Sequence, residues 1–541
     1  MTQTDTIVII LYLAITLLIG LLASRKNSKT DSTEFFLASR SLGWFAIGVS
    51  IFATNISSEH FVGLAGSGAN RGLAAANFEL FAIPFLLLVG WVLAPIFIKS
   101  KVFTVPEFLG NRFNPAIQMT ISGLSIVIYL FTKIFLSLYA SGILFHEFLG
   151  WDVYRSGMVL IAITGLYTII GGMRAVVHTA IFQGILLIVG ALLVTFYSLD
   201  AIGGISRLPS HLPESYFSIF LPLDDPDFPW AGMVFGAPIL AIWYWCADQY
   251  ILQHVLAAKD VCAARSGTLL TGFLKLLPMF ILILPGMVAV ALFPGINGDN
   301  ALPNLFAGSL LPVGIKGLAL AGVLAALMSS LSAAFISSST LFTMDFYRHF
   351  NPKANSEKLA LVGRLATMFI VFLAVLWAPL MRLIDSRVYV HLQSFQAYVA
   401  PPIAAIVIMA IFGKNLTVRG ALYALLTGEL LGFARLISEI NNWAVTFAFH
   451  PLIEQLLIMN FLYYAIFLFF ITIATGWCVS FLQHSAYTGV MSRYMVRPAN
   501  ILGIIKRSPK QAGTLDTGSF FDLAVTGTLI IVLIGIWGIL Q

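Results

Sequence analysis

Apolar residues run through this chain in blocks long enough to cross a membrane, and polar residues gather between the blocks. Fourteen spans are expected, at roughly 7–22, 44–68, 73–98, 117–144, 158–170, 175–197, 231–255, 267–293, 313–347, 359–383, 388–412, 420–437, 461–482 and 523–540. About 20 apolar residues in a helix cross the hydrocarbon layer. The fifth span is short and the ninth long on that scale, which predicts tilt or a helical extension into a loop. One block is interrupted from within. In Phe52-Ala53-Thr54-Asn55-Ile56-Ser57-Ser58-Glu59-His60-Phe61-Val62-Gly63, six of the seven residues from Thr54 to His60 are polar and one is an acid. A charge at membrane depth is costly and marks a solute or ion path, and irregular backbone survives there only against protein or a watery cavity. Gly63, Gly66 and Gly68 follow, favouring a helix that breaks or packs closely. The plain alternative is a polar face that packs against other spans.

Composition agrees with the blocks. Of 541 residues, 59% are hydrophobic and 10% charged, against roughly 25% charged in soluble proteins. The chain is expected to be an all-α polytopic membrane protein. Its net charge of +6 is a matter of which loops hold the cations, not of nucleic-acid affinity. With the first loop placed in the cytoplasm, twenty basic residues fall in inner loops and four (Arg71, Arg155, Arg207 and Arg387) in outer loops. That asymmetry predicts a multi-pass protein of the plasma (inner) membrane with both termini outside. Cys246, Cys262 and Cys478 lie in or beside spans, which argues against a disulfide framework. The N-terminal apolar run reads as an uncleaved span. The acids Asp224, Asp225 and Asp227 of the long outer loop read as a solvated face.

Within the spans, a few polar groups stand out. Glu79 follows Phe78 in the third span. Tyr244 and Trp245 precede Asp248-Gln249 in the seventh, and Gln393-Ser394-Phe395-Gln396 lies in the eleventh ahead of Pro401-Pro402. Ser329, Ser330 and Ser332 sit in the ninth, and Lys275 and Lys133 lie deep in theirs. Singly, Glu79 fits a structural ion pair, the tryptophans an interfacial belt and the serines helix–helix glue. Together they suit a neutral polyol, which needs donors, acceptors and an aromatic face. Glu79 accepts, Lys275 donates, Asn55, His60 and Gln393 do both, and Tyr244 and Trp245 supply rings. Sodium, a hard cation, wants oxygens. The hydroxyls of Ser329 and Ser330, with carbonyls freed by a break near Ala53 and Ile56, would supply them. No zinc-ligand spacing, phosphate-binding loop or serine–histidine–acid set is present. An enzyme is therefore not expected, nor is any cofactor beyond a coupling ion, and the driving force is an ion gradient or diffusion.

Ile169-Ile170-Gly171-Gly172-Met173-Arg174-Ala175 resembles the first signature of the solute:sodium symporter family, and Lys414 with Gly420-Ala421 and Gly428 resembles the second. Ala53-Thr54-Asn55-Ile56-Ser57, Tyr244-Trp245-Cys246-Ala247-Asp248-Gln249, Leu274-Lys275-Leu276 and Leu341-Phe342-Thr343-Met344-Asp345 are similar to its sodium/glucose branch. The resemblance covers nearly the whole chain. It implies one transporter domain, 1–541, of LeuT-type fold. Two inverted five-helix repeats would occupy about 44–200 and 231–412, with peripheral helices at about 7–22, 420–437, 461–482 and 523–540. It places sugar ligands on Asn55, His60, Glu79, Tyr244, Trp245, Lys275 and Gln393. Sodium ligands fall on the carbonyls of Ala53, Ile56 and Ala326 and the hydroxyls of Ser329 and Ser330. Departures at Leu80, Ala241 and Gln396 leave the particular hexose open. Ala180 stands where an aspartate is expected, which implies one sodium per sugar.

The reading is a sodium symporter of a hexose, glucose or galactose, working by alternating access in a lipid bilayer, with no nucleic acid and no obligate protein partner. Two alternatives stand beside it. One is a sodium symporter of another solute (a polyol, sialic acid or proline). The other is a sugar-gated pore or sensor.

Overall fold

The computed structural model describes residues 1–24, 31–57, 59–150, 152–296, 298–307, 310–377, 388–413, 416–441, 450–483 and 517–540. Each of the fourteen apolar stretches is mainly helical over its described residues, and no strand longer than an isolated bridge occurs among them. Eleven helices are long and apolar enough to cross a membrane, or twelve if the bent pair Trp230–Cys246 and Gln249–Leu256 is one span. Two boundaries account for the difference from fourteen. The second span starts as Trp44–Asn55, too short to cross alone, and its remainder runs on with the third in Glu59–Ser100. The fifth and sixth run together as Val153–Ala201, two helices that meet at a non-helical kink at Gly172.

The kink falls between the two expected spans, two residues ahead of Arg174. Gly172 takes φ 55° and ψ −147° there, a conformation open to glycine at little cost. A Cβ on Gly172 would lie 2.4 Å from the Phe35 carbonyl oxygen. The fifth span is not short. Asp152 caps it by accepting from the Tyr154 amide, so the helix begins at Val153, ahead of the expected start at 158.

The ninth span is the axis of the packing. From Ala319 to Leu341 every side chain of Ile315–Leu341 is buried, and the helix lies against the first span and the sixth. Its small residues, among them Gly317, Ala321, Gly322, Ala325 and Ala326, let neighbouring backbones approach closely. Gly322 faces the Leu186 carbonyl, where a Cβ would stand 3.0 Å away. Asp5 of the first span caps this helix from outside, accepting from the amides of Gly314 (2.8 Å) and Gly317 (2.9 Å). Those amides have no partner within their own helix.

The second and eighth spans touch backbone to backbone on both sides of the break. On one side, a Cβ on Gly48 would lie 2.8 Å from the Gly267 carbonyl, and one on Gly267 would lie 3.0 Å from the Trp44 carbonyl. On the other side, Gly68 faces the Ile283 carbonyl at 2.7 Å and Gly286 the Ala65 carbonyl at 2.0 Å by the same measure. Thr271 fastens the first of these contacts by donating to the Gly48 carbonyl (3.2 Å).

Contacts between loops follow the alternation drawn from the sequence. The loop that carries Asp224, Asp225 and Asp227 is not simply a solvated face. Arg71 pairs with Asp227 (2.8 Å) and Asp225 (3.7 Å), Asn460 donates to the Pro226 carbonyl (2.7 Å), and the Ile219 amide donates to the Leu540 carbonyl (2.8 Å). Loops assigned to the other side meet through Arg348 and Glu107 (2.5 Å) and through Arg40, which donates to the carbonyls of Val102 and Leu256.

Candidate functional site

The second span stops helically at Asn55, Ile56 leaves the helix at ψ 112°, and a wider π turn begins at Glu59. The Ser57 amide would continue the ladder to the Ala53 carbonyl. It donates instead to His60 Nδ1 (3.3 Å), so that carbonyl is freed. The Thr54 carbonyl takes the hydroxyls of Tyr250 (2.8 Å) and Ser330 (3.0 Å). Ser330 Oγ also lies 3.4 Å from the Ile56 carbonyl. The Ser329 hydroxyl is buried with no hydrogen-bond partner among the described residues, and Ala326 precedes it by one turn on the same buried helix. The structure thus brings Ile56 and Ser330 together and leaves oxygens of Ala53 and Ser329 free for a small cation. Thr54, absent from the expected set, contributes the carbonyl that both hydroxyls bind.

The sugar-side candidates form one hydrogen-bonded chain. Lys275 Nζ donates to Asn55 Oδ1 (2.5 Å) and to Glu79 Oε2. Asn55 Nδ2 donates to the Tyr244 hydroxyl (3.0 Å). His60 Nε2 lies 3.2 Å from the other Glu79 oxygen. Because His60 Nδ1 accepts from Ser57, Nε2 carries the proton and donates to the carboxylate. The Trp245 ring faces Lys275, its centroid 5.4 Å from Nζ. The local fold explains the convergence. Asn55 and His60 flank the break, Glu79 lies on a short helical piece after the Gly72 turn, and Lys275 ends Val261–Leu274 as its C-cap.

These groups, apart from Lys275, line a narrow, partly open cavity of about 60 Å³, with Glu59, Phe78, Ala241 and Gln396 among the other walls. Gln393 lies on Val388–Phe412, and its side chain lies outside the described residues, as do Lys414, Arg382 and Arg387. Gln396, one turn on, reaches the cavity, and its buried Nε2 has no partner among the described residues. The sequence reading marked Gln396 only as a departure from a family pattern.

A second buried cluster beside the cavity escaped the sequence. Lys133 Nζ donates to Glu59 Oε1 (2.5 Å), and the Tyr129 hydroxyl donates to Asp248 Oδ1. The depth of Lys133 in its span was visible; its partner, 74 positions away, was not.

A buried carboxylate, an ammonium, amides and rings around a cavity at a helix break define a secondary transporter of the broken-helix, LeuT-fold class. Comparison with known proteins agrees. The model of the "Sodium:solute symporter family" matches residues 35–428. The chain is 38% identical over 480 residues to the human sodium/myo-inositol cotransporter, covering 80% of this chain and 67% of that one. It is 36% identical over 522 residues to mouse sodium/glucose cotransporter 1, covering 88% and 78%. Among solved structures, a Na+-coupled sialic acid symporter in a substrate-bound outward-open state superposes with TM-score 0.77 at 21% identity, covering 89% of this chain and 98% of that one. The chain belongs to the sodium:solute symporter family. It is a multi-span membrane transporter and not an enzyme.

The Lys275–Glu79 pair is buried, the lysine side chain wholly so. Removing one partner of such a pair strands the other charge, while neutralising both costs far less. Lys275→Met should destabilise the protein by about 3 kcal/mol, the low end for a buried pair because His60 still bonds Glu79. Lys275→Met with Glu79→Gln should recover most of that loss. Thermal melting in detergent, without solute, checks both.

Proposed function

We propose that the chain couples inward sodium movement to uptake of a hexose, glucose or galactose, by alternating access. The observation that carries this is the Glu79–Lys275–Asn55–Tyr244 chain along one side of the cavity, continued by Trp245. It offers fixed donors and acceptors in alternation, which suits hydroxyls that both donate and accept. A carboxylate solute would meet Glu79. Sodium binds at the break through the carbonyls of Ala53, Ile56 and Ala326 and the hydroxyls of Ser329 and Ser330. It fixes residues 54–57 and so sets Asn55 for the sugar. Sugar then closes the cavity against Tyr244, and the core rocks to open inward. Each ligand stabilises a state the other prefers, which is coupling in the linkage sense.

A second reading has its own support. The human relative at 38% identity is a sodium/myo-inositol cotransporter, and a cyclitol presents the same ring of hydroxyls. Uptake into proteoliposomes under an inward sodium gradient, over glucose, galactose, myo-inositol and proline, separates the readings. Accumulation of a hexose above the outside concentration is expected. Accumulation of myo-inositol alone would replace hexose by polyol, and equilibration without accumulation would mean a pore.

Ser329→Ala with Ser330→Ala should raise the sodium concentration for half-maximal uptake by about tenfold or more, since two oxygen ligands cannot be replaced by methyls and about 1.4 kcal/mol already gives a factor of ten. Unchanged sodium dependence would move the ion site elsewhere.

The coupling ratio should be one sodium per sugar. Ala180 is fully buried on the sixth span, Ala333 adjoins Ser332, and the Ser332 hydroxyl already donates to the Ser329 carbonyl (2.9 Å). A second cation there would have no countercharge from position 180. One ion at about 100 mV is worth roughly 2.3 kcal/mol, and a tenfold gradient adds about 1.4 kcal/mol. Together they support up to about 500-fold accumulation. A reversal-potential measurement with opposed sodium and sugar gradients gives the ratio, and a value of two would refute the claim.

A further inference from the structure

Glu59 opens the π turn that follows the break, and it lines the cavity. Its partner Lys133 lies on the π turn Tyr129–Ile134 of the fourth span, and both side chains are buried, 6% and 2% exposed. The same ammonium stands 5.0 Å from the ring centroid of Tyr244 and 5.5 Å from that of Tyr250, within reach of a cation–π attraction to each. The two rings hold opposite faces of the break. Tyr244 takes the Asn55 amide on the sugar side. Tyr250 donates to the Thr54 carbonyl and lies 3.4 Å from the Ser330 carbonyl on the ion side. The π turn also presents Tyr129, whose hydroxyl bonds Asp248 and lies 3.1 Å from the Tyr250 amide. One buried cation therefore touches a cavity wall, the residue that clamps Asn55 and the residue that clamps Thr54.

Packing alone does not account for this placement. An ion pair kept for stability is often matched by apolar residues of the same volume, and it has no reason to sit between the two tyrosines of one helix break. Building on the sodium-coupled reading above, we propose that Lys133 is a positioning residue. It links the ion face of the break to its sugar face, so that ordering of residues 54–57 reaches the cavity through Glu59 and Tyr244. Without the ammonium, Glu59 loses its partner, the rings lose their shared anchor, and each side of the break settles separately.

The test is the sodium dependence of the solute KM in proteoliposomes, for wild type, Lys133→Met, Lys133→Arg and the neutral pair Glu59→Gln with Lys133→Met. In wild type a tenfold rise in sodium should lower KM by about fivefold or more, a common size for coupling between sites. In Lys133→Met and in the neutral pair the same rise should change KM by less than about twofold, while Lys133→Arg keeps most of the response. A wild-type response in the neutral pair overturns the proposal, because a merely structural role would be met by a folded neutral pair. If neither variant folds, Tyr250→Leu compared with Tyr250→Phe decides, since only the first removes the ring that faces the ammonium. A response weaker in the first than in the second supports the link and an equal one overturns it. If wild type moves myo-inositol and no hexose, the hexose reading falls and the same comparison is made with that solute. If the wild-type KM ignores sodium for every transported solute, the link falls.

Discussion

A carbonyl oxygen in the middle of a bilayer has no water to turn to, and the second span exposes several there. That constraint organises the molecule. The ladder stops at Asn55, so the oxygens of Ala53, Thr54 and Ile56 need partners from elsewhere in the fold. The ninth span brings Ser330 to them, and the bent seventh brings Tyr250. For a serine hydroxyl to come this close, the ninth span must be buried on every side and lined with small residues, as it is from Ala319 to Leu341. The sixth span and the Asp5 cap then hold that helix in place. Two helices broken at membrane depth and one small-residue helix between them are thus parts of a single solution to unsatisfied backbone.

Two buried ion pairs flank the break, and they do different chemistry. Lys275–Glu79 belongs to a chain of neutral and charged hydrogen bonds, so its groups are held in place before a solute arrives. A hydroxyl entering that chain exchanges one good partner for another, which keeps the cost of opening it low. Lys133–Glu59 sits against aromatic faces, where an ammonium gains attraction without surrendering its protons. One pair is arranged to be interrupted; the other is not.

The bilayer made the architecture legible in the sequence. Apolar blocks of membrane length announce helices, and any polar residue inside one is costly enough to stand out. That is why residues 54–60, Glu79, Lys275 and the serines of the ninth span could be named beforehand, and the structure brings most of them within hydrogen-bond reach of one another. Pairing was hidden. Nothing in the pattern around Lys133 says that Glu59 answers it, because side-chain partnership depends on how helices cross. The turn between the fifth and sixth spans was legible at Gly171-Gly172-Met173-Arg174, and Gly172 breaks the helix there with a positive φ open to glycine. The π turns at Tyr129–Ile134 and Met279–Ile283 were invisible, since one extra residue in a uniformly apolar block changes no visible periodicity.

The paired glycines between the second and eighth spans carry a mechanical consequence. Gly48 and Gly267 on one side of the break, and Gly68 and Gly286 on the other, bring the two backbones close together. Parting these helices would open voids at both crossings, which favours their moving together. Asn55 and His60 stand on either side of the break in one span, and Lys275 caps a helix of the other. The jaw they form keeps a constant gauge whichever way the cavity faces, and the shape it selects is the same for a solute arriving from either compartment. Directionality must then come from what the seventh span lays across that jaw, not from the jaw itself.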